Sequence, residues 1–204
     1  MSAKIYQISL YCIKIHPMKK IIALCLLTFI FSCGSSDEVE TVTIAHKYSI
    51  ELPTFLSKGT GLQDDASLQY QNLLREFYVV VVDEPKFGLS DILMNAGYTP
   101  DLQGYFNILT ADLEGTMKNT EIESAKDIQI NGLKAKTFSM TGIIPENNID
   151  VFYKMAYIEG EDSFYQIVTW TMKKNKDKYA PQMDKMIRSF KEIGNSRKAD
   201  RSKK

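Results

Sequence analysis

The chain has 204 residues, of which 44% are hydrophobic, and its formal net charge is zero. This is an ordinary globular composition, sufficient for one domain with a core that needs no metal or disulfide to hold it together. Residues 1–33 carry four lysines and no acid, which leaves 21 basic and 25 acidic residues in the remainder, a charge near −4. That balance argues against a nucleic-acid-binding protein, so we expect no nucleic-acid partner.

The first 33 residues have the order of an export signal. Lys19 and Lys20 precede an apolar run, residues 21–31, of 11 residues. A bilayer-spanning helix needs roughly 20 residues, so this run has the proportions of a secretory signal peptide. The segment Ile30-Phe31-Ser32-Cys33 that follows resembles the lipobox of bacterial lipoprotein precursors. The resemblance implies cleavage before Cys33 and lipidation of its thiol, with membrane lipid as the partner of the acylated residue.

Removal of residues 1–32 would also remove Cys12 and Cys25. Cys33 would then be the only cysteine, so the folded domain could hold neither an internal disulfide nor a catalytic thiol. Two alternatives remain open at this point, an ordinary secretory signal with an incidental cysteine and a short N-terminal membrane helix. The start of translation is also open, because residues 1–17 form an unusually long and apolar n-region and Met18 fits a start better.

Residues 33–40 are small and then acidic, which predicts a flexible tether between the lipid and the domain. A short acidic stretch after a lipidated cysteine also resembles the surface-export signal of some Gram-negative lipoproteins. We therefore expect a protein anchored in the cell envelope, at the outer membrane, and the sequence leaves its surface exposure open. Residues 195–204 form a basic tail that we expect to be disordered.

Residues 41–194 predict a single domain that begins with strands. Residues 41–52 show a broken alternation, which predicts one extended segment ending at Pro53. Residues 55–65 are a glycine-containing loop, and residues 67–72 and 76–83 predict paired strands. The run 77–82 is apolar on both faces, so we expect it inside the sheet and covered on both sides.

The middle of the domain predicts a helix followed by further strands. Thr99 is the expected N-cap, with Pro100 at the first helical position, and an apolar stripe continues to Met117. Residues 119–131 return to extended structure, and Asn131-Gly132 predicts a tight hairpin turn.

The last third predicts two strands and a helix. Residues 150–158 and 163–172 alternate on either side of a turn at residues 159–162, and residues 177–193 form an amphipathic helix with Gly194 as its C-cap. Short connections between strands require a mostly antiparallel sheet. The predicted fold class is therefore α+β, a three-layer α/β/α sandwich with an antiparallel sheet covered by helices on both faces.

This order of elements resembles the PsbP-like family, also called the Mog-type fold. The similarity extends from about residue 42 to residue 193. Three features carry it: the strand Tyr48-Ser49-Ile50-Glu51-Leu52-Pro53, the paired strands 67–72 and 77–84, and the closing Met186-Ile187-Arg188-Ser189-Phe190. The resemblance implies the fold and no shared catalytic residue, because the family's functions range from photosystem assembly to Ran binding and fold does not determine function.

Residues with possible chemistry are few. His46 is the one histidine after the leader, without a nucleophile motif around it, and we interpret it as a surface or structural residue. Acids cluster at Asp64-Asp65, Asp83-Glu84 and residues 159–162, where turn chemistry explains them better than calcium binding. Gly59-Thr60-Gly61 lacks the features of a phosphate loop. Trp170 fits a core or cross-strand pair better than a ligand groove. We thus expect no catalytic residue, no metal site and no cofactor.

Three functions remain open on this basis. The first is a non-catalytic envelope lipoprotein that binds a partner protein or assists assembly. The second is an exported hydrolase with a site near His46, which predicts a pocket there. The third is a small-ligand carrier, which predicts a large apolar cavity beneath a helix.

Overall fold

The computed structural model describes residues 38–194. The predicted signal peptide, Cys33, most of the predicted tether and the basic tail lie outside the described residues. Eleven strands and three α-helices are found in the described part of the chain: β1 Val39–Ile44, β2 Tyr48–Pro53, β3 Ser57–Lys58, β4 Ala66–Asn72, β5 Phe77–Pro85, α1 Lys86–Asn95, α2 Leu102–Thr110, β6 Lys118–Ile122, β7 Lys126–Ile130, β8 Leu133–Ile144, β9 Ile149–Glu159, β10 Ser163–Met172, α3 Lys176–Ser189 and β11 Lys191–Glu192.

Two antiparallel sheets organise these strands. The large sheet has eight strands in the order β3-β4-β5-β10-β9-β8-β6, and β7 also pairs with β8. Its edges are short or irregular, because β3 has two residues and the register of β6 shifts between Lys118 and Glu121. The small sheet has the order β1-β2-β11.

Each face of the large sheet has its own hydrophobic core. On one face, hereafter the α3 face, the sheet packs against α3 and the buried side of β2. On the opposite face, hereafter the α2 face, it packs against α1 and α2. The α+β class, the antiparallel sheet and the helices on both faces are thereby confirmed, and the small sheet joins α3 as part of one outer layer.

The hairpin predicted at Asn131-Gly132 is present. Both residues have positive φ angles, 49° and 87°, and the turn joins Ile130 directly to Leu133. Positive φ at both central positions is what a two-residue type I′ turn requires, and asparagine and glycine adopt it at low cost.

Residues 41–52 are two strands, where one was expected. β1 and β2 pair in an antiparallel hairpin, and the turn between them contains His46 with a φ of 62°. The prediction was wrong because the alternation continues on both sides of the turn, so the pattern of apolar residues does not show the reversal.

The helix predicted from Thr99 begins later and ends earlier. α2 starts at Leu102, and the carboxylate of Asp101 is the cap, accepting a hydrogen bond from the backbone N–H of Gly104 at 2.9 Å. The Thr99 hydroxyl instead donates to the same Asp101 carboxylate at 2.7 Å. The helix ends at Thr110, although apolar residues continue at helical spacing in the sequence as far as Met117.

The C-terminal helix is also shorter than predicted. α3 ends at Ser189, Phe190 has an extended ψ of 131°, and Lys191–Glu192 form β11, so Gly194 is not a C-cap. Phe190 leaves the helix because its ring packs between Tyr48 and Tyr165, at centroid distances of 5.2 and 4.9 Å.

Helix α1 was not predicted. Phe87 and Gly88 have non-helical backbone angles, and Leu93 is its one buried residue, so the segment has no apolar stripe to indicate a helix. None of the helices in residues 38–194 has the length and apolar character to cross a bilayer.

Candidate interaction surface

Three aromatic side chains form a ladder across the middle of the large sheet. Trp170 on β10 lies directly opposite Tyr78 on β5 and Tyr153 on β9. The Trp170 ring stacks on Tyr78 with centroids 5.1 Å apart and planes 10° apart, and on Tyr153 at 6.0 Å and 28°. The cross-strand role predicted for Trp170 is therefore found, on the α2 face of the sheet.

This ladder lies where the cover of the α2 face ends. Tyr153 packs against the core beneath α2, whereas Tyr78 and Trp170 belong to neither hydrophobic core and remain partly exposed. The neighbouring part of the face is closed by Met117, whose side chain occupies the space above Gly142. Strand β5 is thus inside the sheet as expected, but only its α3 face is fully covered.

A groove of about 440 Å³ runs beside the ladder on the same strands. Its floor includes Val82 and Gln166, which are paired across β5 and β10. Four residues along these strands, roughly 13 Å away, lies the Tyr78–Trp170 pair. Buried Val80 and its partly exposed partner Val168 lie between the groove and the ladder on the same face of the sheet. The groove itself is lined by Gln63, Asp65, Val82, Asp83, Glu84, Leu109 and Gln166.

The loop that precedes β4 forms one wall of the groove. The side chain of Gln69 holds this loop, since its Oε1 accepts from the backbone N–H of Leu62 at 2.8 Å and its Nε2 donates to the carbonyl of Gln63 at 2.8 Å. The backbone N–H of Gly59 donates to the carbonyl of Gln69 at 2.8 Å. The Gly59-Thr60-Gly61 sequence thus belongs to a wall that is fixed to the sheet, followed by a strand and not by a helix.

The end of the groove away from the ladder is acidic. Asp83 pairs with Lys47 at 2.7 Å, and the structure records no ion pair for Asp65 or Glu84 among residues 38–194. Burial raises the pKa of the Tyr105 phenol, and the nearby Glu84 carboxylate raises that pKa further. The acidic end of the groove therefore presents Asp65 to solvent, with the Glu84 carboxylate beside the Tyr105 hydroxyl.

Of the three acidic clusters in the sequence, the structure brings two to the same groove and leaves the third outside it. Asp65, Asp83 and Glu84 share the groove, whereas Glu159 pairs with Lys86 at 3.0 Å on the other side of β10. Within the described part of the chain, no group of three or more histidine, cysteine, aspartate and glutamate residues is arranged to hold a metal ion. The proximity of Asp65 to Asp83 and Glu84 could not be read from the sequence, because it depends on the pairing of β4 with β5, whose register shifts between Ala66 and Leu68.

His46 lies away from these features. It is exposed in the turn between β1 and β2 and lines none of the three grooves that the structure describes. The other two grooves, about 490 and 100 Å³, lie beside the N-terminus of α2 and beside β6, and polar side chains make up most of the lining of each.

Comparison with known proteins shows a shared fold and little shared sequence. No family model matches the chain, and no curated protein matches it. Cyanobacterial PsbP (CyanoP) from Synechocystis sp. PCC 6803 superimposes with a TM-score of 0.50 at 12% identity, covering 79% of this chain and 98% of CyanoP. The Ran-binding protein Mog1p of Saccharomyces cerevisiae superimposes with a TM-score of 0.50 at 15% identity, covering 78% and 97%. The fold of the described domain is therefore similar to that of PsbP and Mog1p.

Proposed function

We propose that this chain is a non-catalytic, lipid-anchored protein of the bacterial cell envelope that binds a partner protein through the aromatic ladder and its groove. The observation that carries the proposal is the ladder itself. Tyr78 and Trp170 are large aromatic residues left partly exposed in the middle of a rigid sheet. Tryptophan and tyrosine are the residues that most often dominate the energy of protein–protein binding.

The ladder suits binding because its side chains are ordered before a partner arrives. Trp170 is held by stacking on both sides, so little side-chain entropy remains to be lost on association. Each such ring offers a large contact area with a polar group at its edge, which matches the composition of interface centres.

The charge of the groove indicates the character of the partner. Asp65 and Glu84 would attract a segment that carries lysine or arginine several residues away from the apolar residue that contacts the ladder, because Glu84 lies six residues along β5 from Tyr78. Complementary charge of this kind raises the association rate and selects among partners.

The absence of catalysis remains part of the proposal. It is supported by the position of His46 in an exposed turn, outside the described grooves, which does not give the pocket that the hydrolase alternative predicts. The carrier alternative predicts an enclosed apolar cavity beneath a helix, whereas the described grooves are open to solvent and have charged side chains in their lining.

Site-specific photo-crosslinking in intact cells tests the partner. Tyr78 is replaced by benzoylphenylalanine, which keeps an aromatic ring, and the control carries the same residue in place of Phe87, which is 98% exposed but lies in α1, beyond the end of β5 that is distant from Tyr78. The proposal predicts a discrete adduct from position 78 that is lost with Trp170→Ala. Equal adducts from the two positions, or none from position 78, would contradict it.

The anchor is tested by metabolic labelling with a palmitate analogue. The wild-type chain should be labelled and Cys33→Ala should not, and protease treatment of whole cells should show whether the domain is exposed on the surface. Unchanged labelling of Cys33→Ala would overturn the lipoprotein assignment.

A further inference from the structure

The turn between β4 and β5 presents two leucines to solvent. Leu73 is 67% exposed and Leu74 is 98% exposed. Two adjacent leucines with this exposure place an apolar tip at one end of the large sheet, hereafter the Leu73–Leu74 tip. Single exposed leucines are common on protein surfaces, so the significance of the tip depends on how it is held and where it lies.

The tip is held rigidly by its neighbours. The side chain of Asn72 accepts from the backbone N–H of Arg75 at 2.8 Å and donates to the carbonyl of Phe55 at 2.7 Å. On the other side of the turn, Glu76 pairs with Lys174 at 3.1 Å. The leucines are therefore exposed because the turn is fixed in a conformation that projects them.

The tip lies at the end of the domain from which the chain leaves toward Cys33. The carbonyl of Glu38, the first described residue, accepts from the backbone N–H of Thr54 at 2.9 Å. The next residue, Phe55, carries the Arg75 guanidinium 4.1 Å from its ring centroid. Two short contacts therefore connect Glu38, where the chain leaves the described domain toward the proposed lipid anchor, to the Leu73–Leu74 tip.

The length of chain between the anchor and the domain is small. Glu38 is five residues after Cys33, a distance that even a fully extended chain limits to about 17 Å. A lipid on Cys33 would therefore keep this end of the domain, and with it the tip, close to the bilayer surface.

From these observations we infer that the Leu73–Leu74 tip is a second membrane contact, which enters the interfacial region of the bilayer beside the lipid anchor. Arg75 carries a positive charge next to the leucines, with no carboxylate partner recorded for it in the described residues, and a cation at that depth meets lipid phosphate groups. The inference rests on the proposed anchoring at Cys33 for its biological setting.

The contact would orient the domain. An acyl chain on a tether holds the protein to the membrane without defining its direction, whereas an anchor and a second contact define which side faces the lipid. With the tip at the bilayer, the strands of the large sheet rise from the surface, and the far end of the nine-residue β5 stands about 30 Å farther from it. Phe87 follows two residues after that end, in α1.

A reversible anchor makes the contribution of the tip measurable. The chain beginning at Cys33 retains all the residues that the structure describes, 38–194. Its Cys33 thiol is coupled to a single-chain lipid maleimide, because one acyl chain gives only marginal, reversible binding. Partition into phosphatidylcholine vesicles is then measured for the unsubstituted chain, Leu74→Ser and the matched control Phe87→Ser, which alters a side chain of the same 98% exposure.

We expect Leu74→Ser to lower the partition constant about tenfold and Phe87→Ser to leave it unchanged. Equal partition of all three chains would overturn the inference. A second result would also overturn the inference: Leu74→Ser changes the oligomeric state in lipid-free solution and leaves vesicle binding unchanged. The tip would then be a contact between copies of the chain. Coupling by maleimide does not depend on acylation in the cell, so this experiment and palmitate labelling can fail independently.

Discussion

The two faces of the large sheet differ in how they are covered. On the α3 face, β2 and α3 close a core in which Tyr48, Phe77, Met183 and Phe190 have no exposed surface. On the α2 face, two short helices cover one part of the sheet and leave the ladder at the border. We interpret the first face as the main source of stability and the second as the source of the binding surface, so that a change in one property need not change the other.

Alkaline pH should affect both faces together and cause loss of the fold. Burial raises the pKa of Tyr157 to about 12, and it is also the main cause of the raised pKa values of Tyr48, Tyr105 and Tyr165. Stability contributed by these neutral phenols is complete below the unfolded pKa of about 10 and is lost as the pH rises above it. The part of the phenolate absorbance that comes from these buried tyrosines should appear in the same cooperative step in which the circular dichroism signal is lost. Ionisation of every tyrosine near pH 10 with the fold intact would contradict this.

Phe190→Ala should destabilise the α3 face strongly. Its ring is fully buried between Tyr48 and Tyr165, so truncation leaves a cavity and should cost about 3–5 kcal/mol in the free energy of unfolding. Urea denaturation measures the loss, and Phe190→Leu should recover part of it. If the cost of Phe190→Ala were no larger than that of a surface substitution, the α3 face would not be the main source of stability.

Gly104→Ala should destabilise the α2 face by a smaller amount. A Cβ atom at Gly104 would overlap the backbone oxygen of Thr99, so the loop before α2 must shift, at a cost of about 1–3 kcal/mol. Gly115→Ala is the matched control, because a Cβ there meets no atom within 4 Å. Similar urea midpoints for the two variants would show that α2 is not packed as tightly as the structure indicates.

Trp170→Ala should destabilise the fold no more than Gly104→Ala does and should have the largest effect on binding. It removes two ring stacks, together worth about 1–3 kcal/mol, from a side chain that is already partly exposed. The urea midpoint should therefore fall by no more than that of Gly104→Ala, while the crosslink from position 78 disappears. Trp170→Phe keeps an aromatic surface and should retain the crosslink. If the adduct survived Trp170→Ala, the ladder would not be part of the binding site.

The parts of the fold that could be predicted are those with a local cause. The Asn131-Gly132 turn follows from the φ angles that these residues tolerate, and the strands follow from alternation. The end of α3 could not be predicted in this way. Phe190 continues the apolar stripe of the helix. It leaves the helix because its ring packs against Tyr48, more than a hundred residues earlier in the chain, and against Tyr165 on β10.

The candidate surface was predicted only in its components. Trp170 was expected to pair across strands, but its partners depend on the register that places it opposite Tyr78 and Tyr153. The exposure of the ladder depends on how far α2 extends toward it, and the helix ends at Thr110 although the apolar pattern continues to Met117. Its pairing and its exposure are therefore tertiary properties that no local pattern reports.

The irregular edges of the large sheet have a consequence for a protein held at high local density. A straight edge strand offers unpaired backbone groups to a neighbouring molecule and so promotes aggregation. Here one edge, β3, is only two residues long. The other edge is divided between β6, which is interrupted by its register shift, and the five-residue β7, which begins with exposed Lys126 and Asp127. The proposed anchor would concentrate many copies on one membrane, and divided, charged edges of this kind would oppose the joining of their sheets into a continuous β-structure.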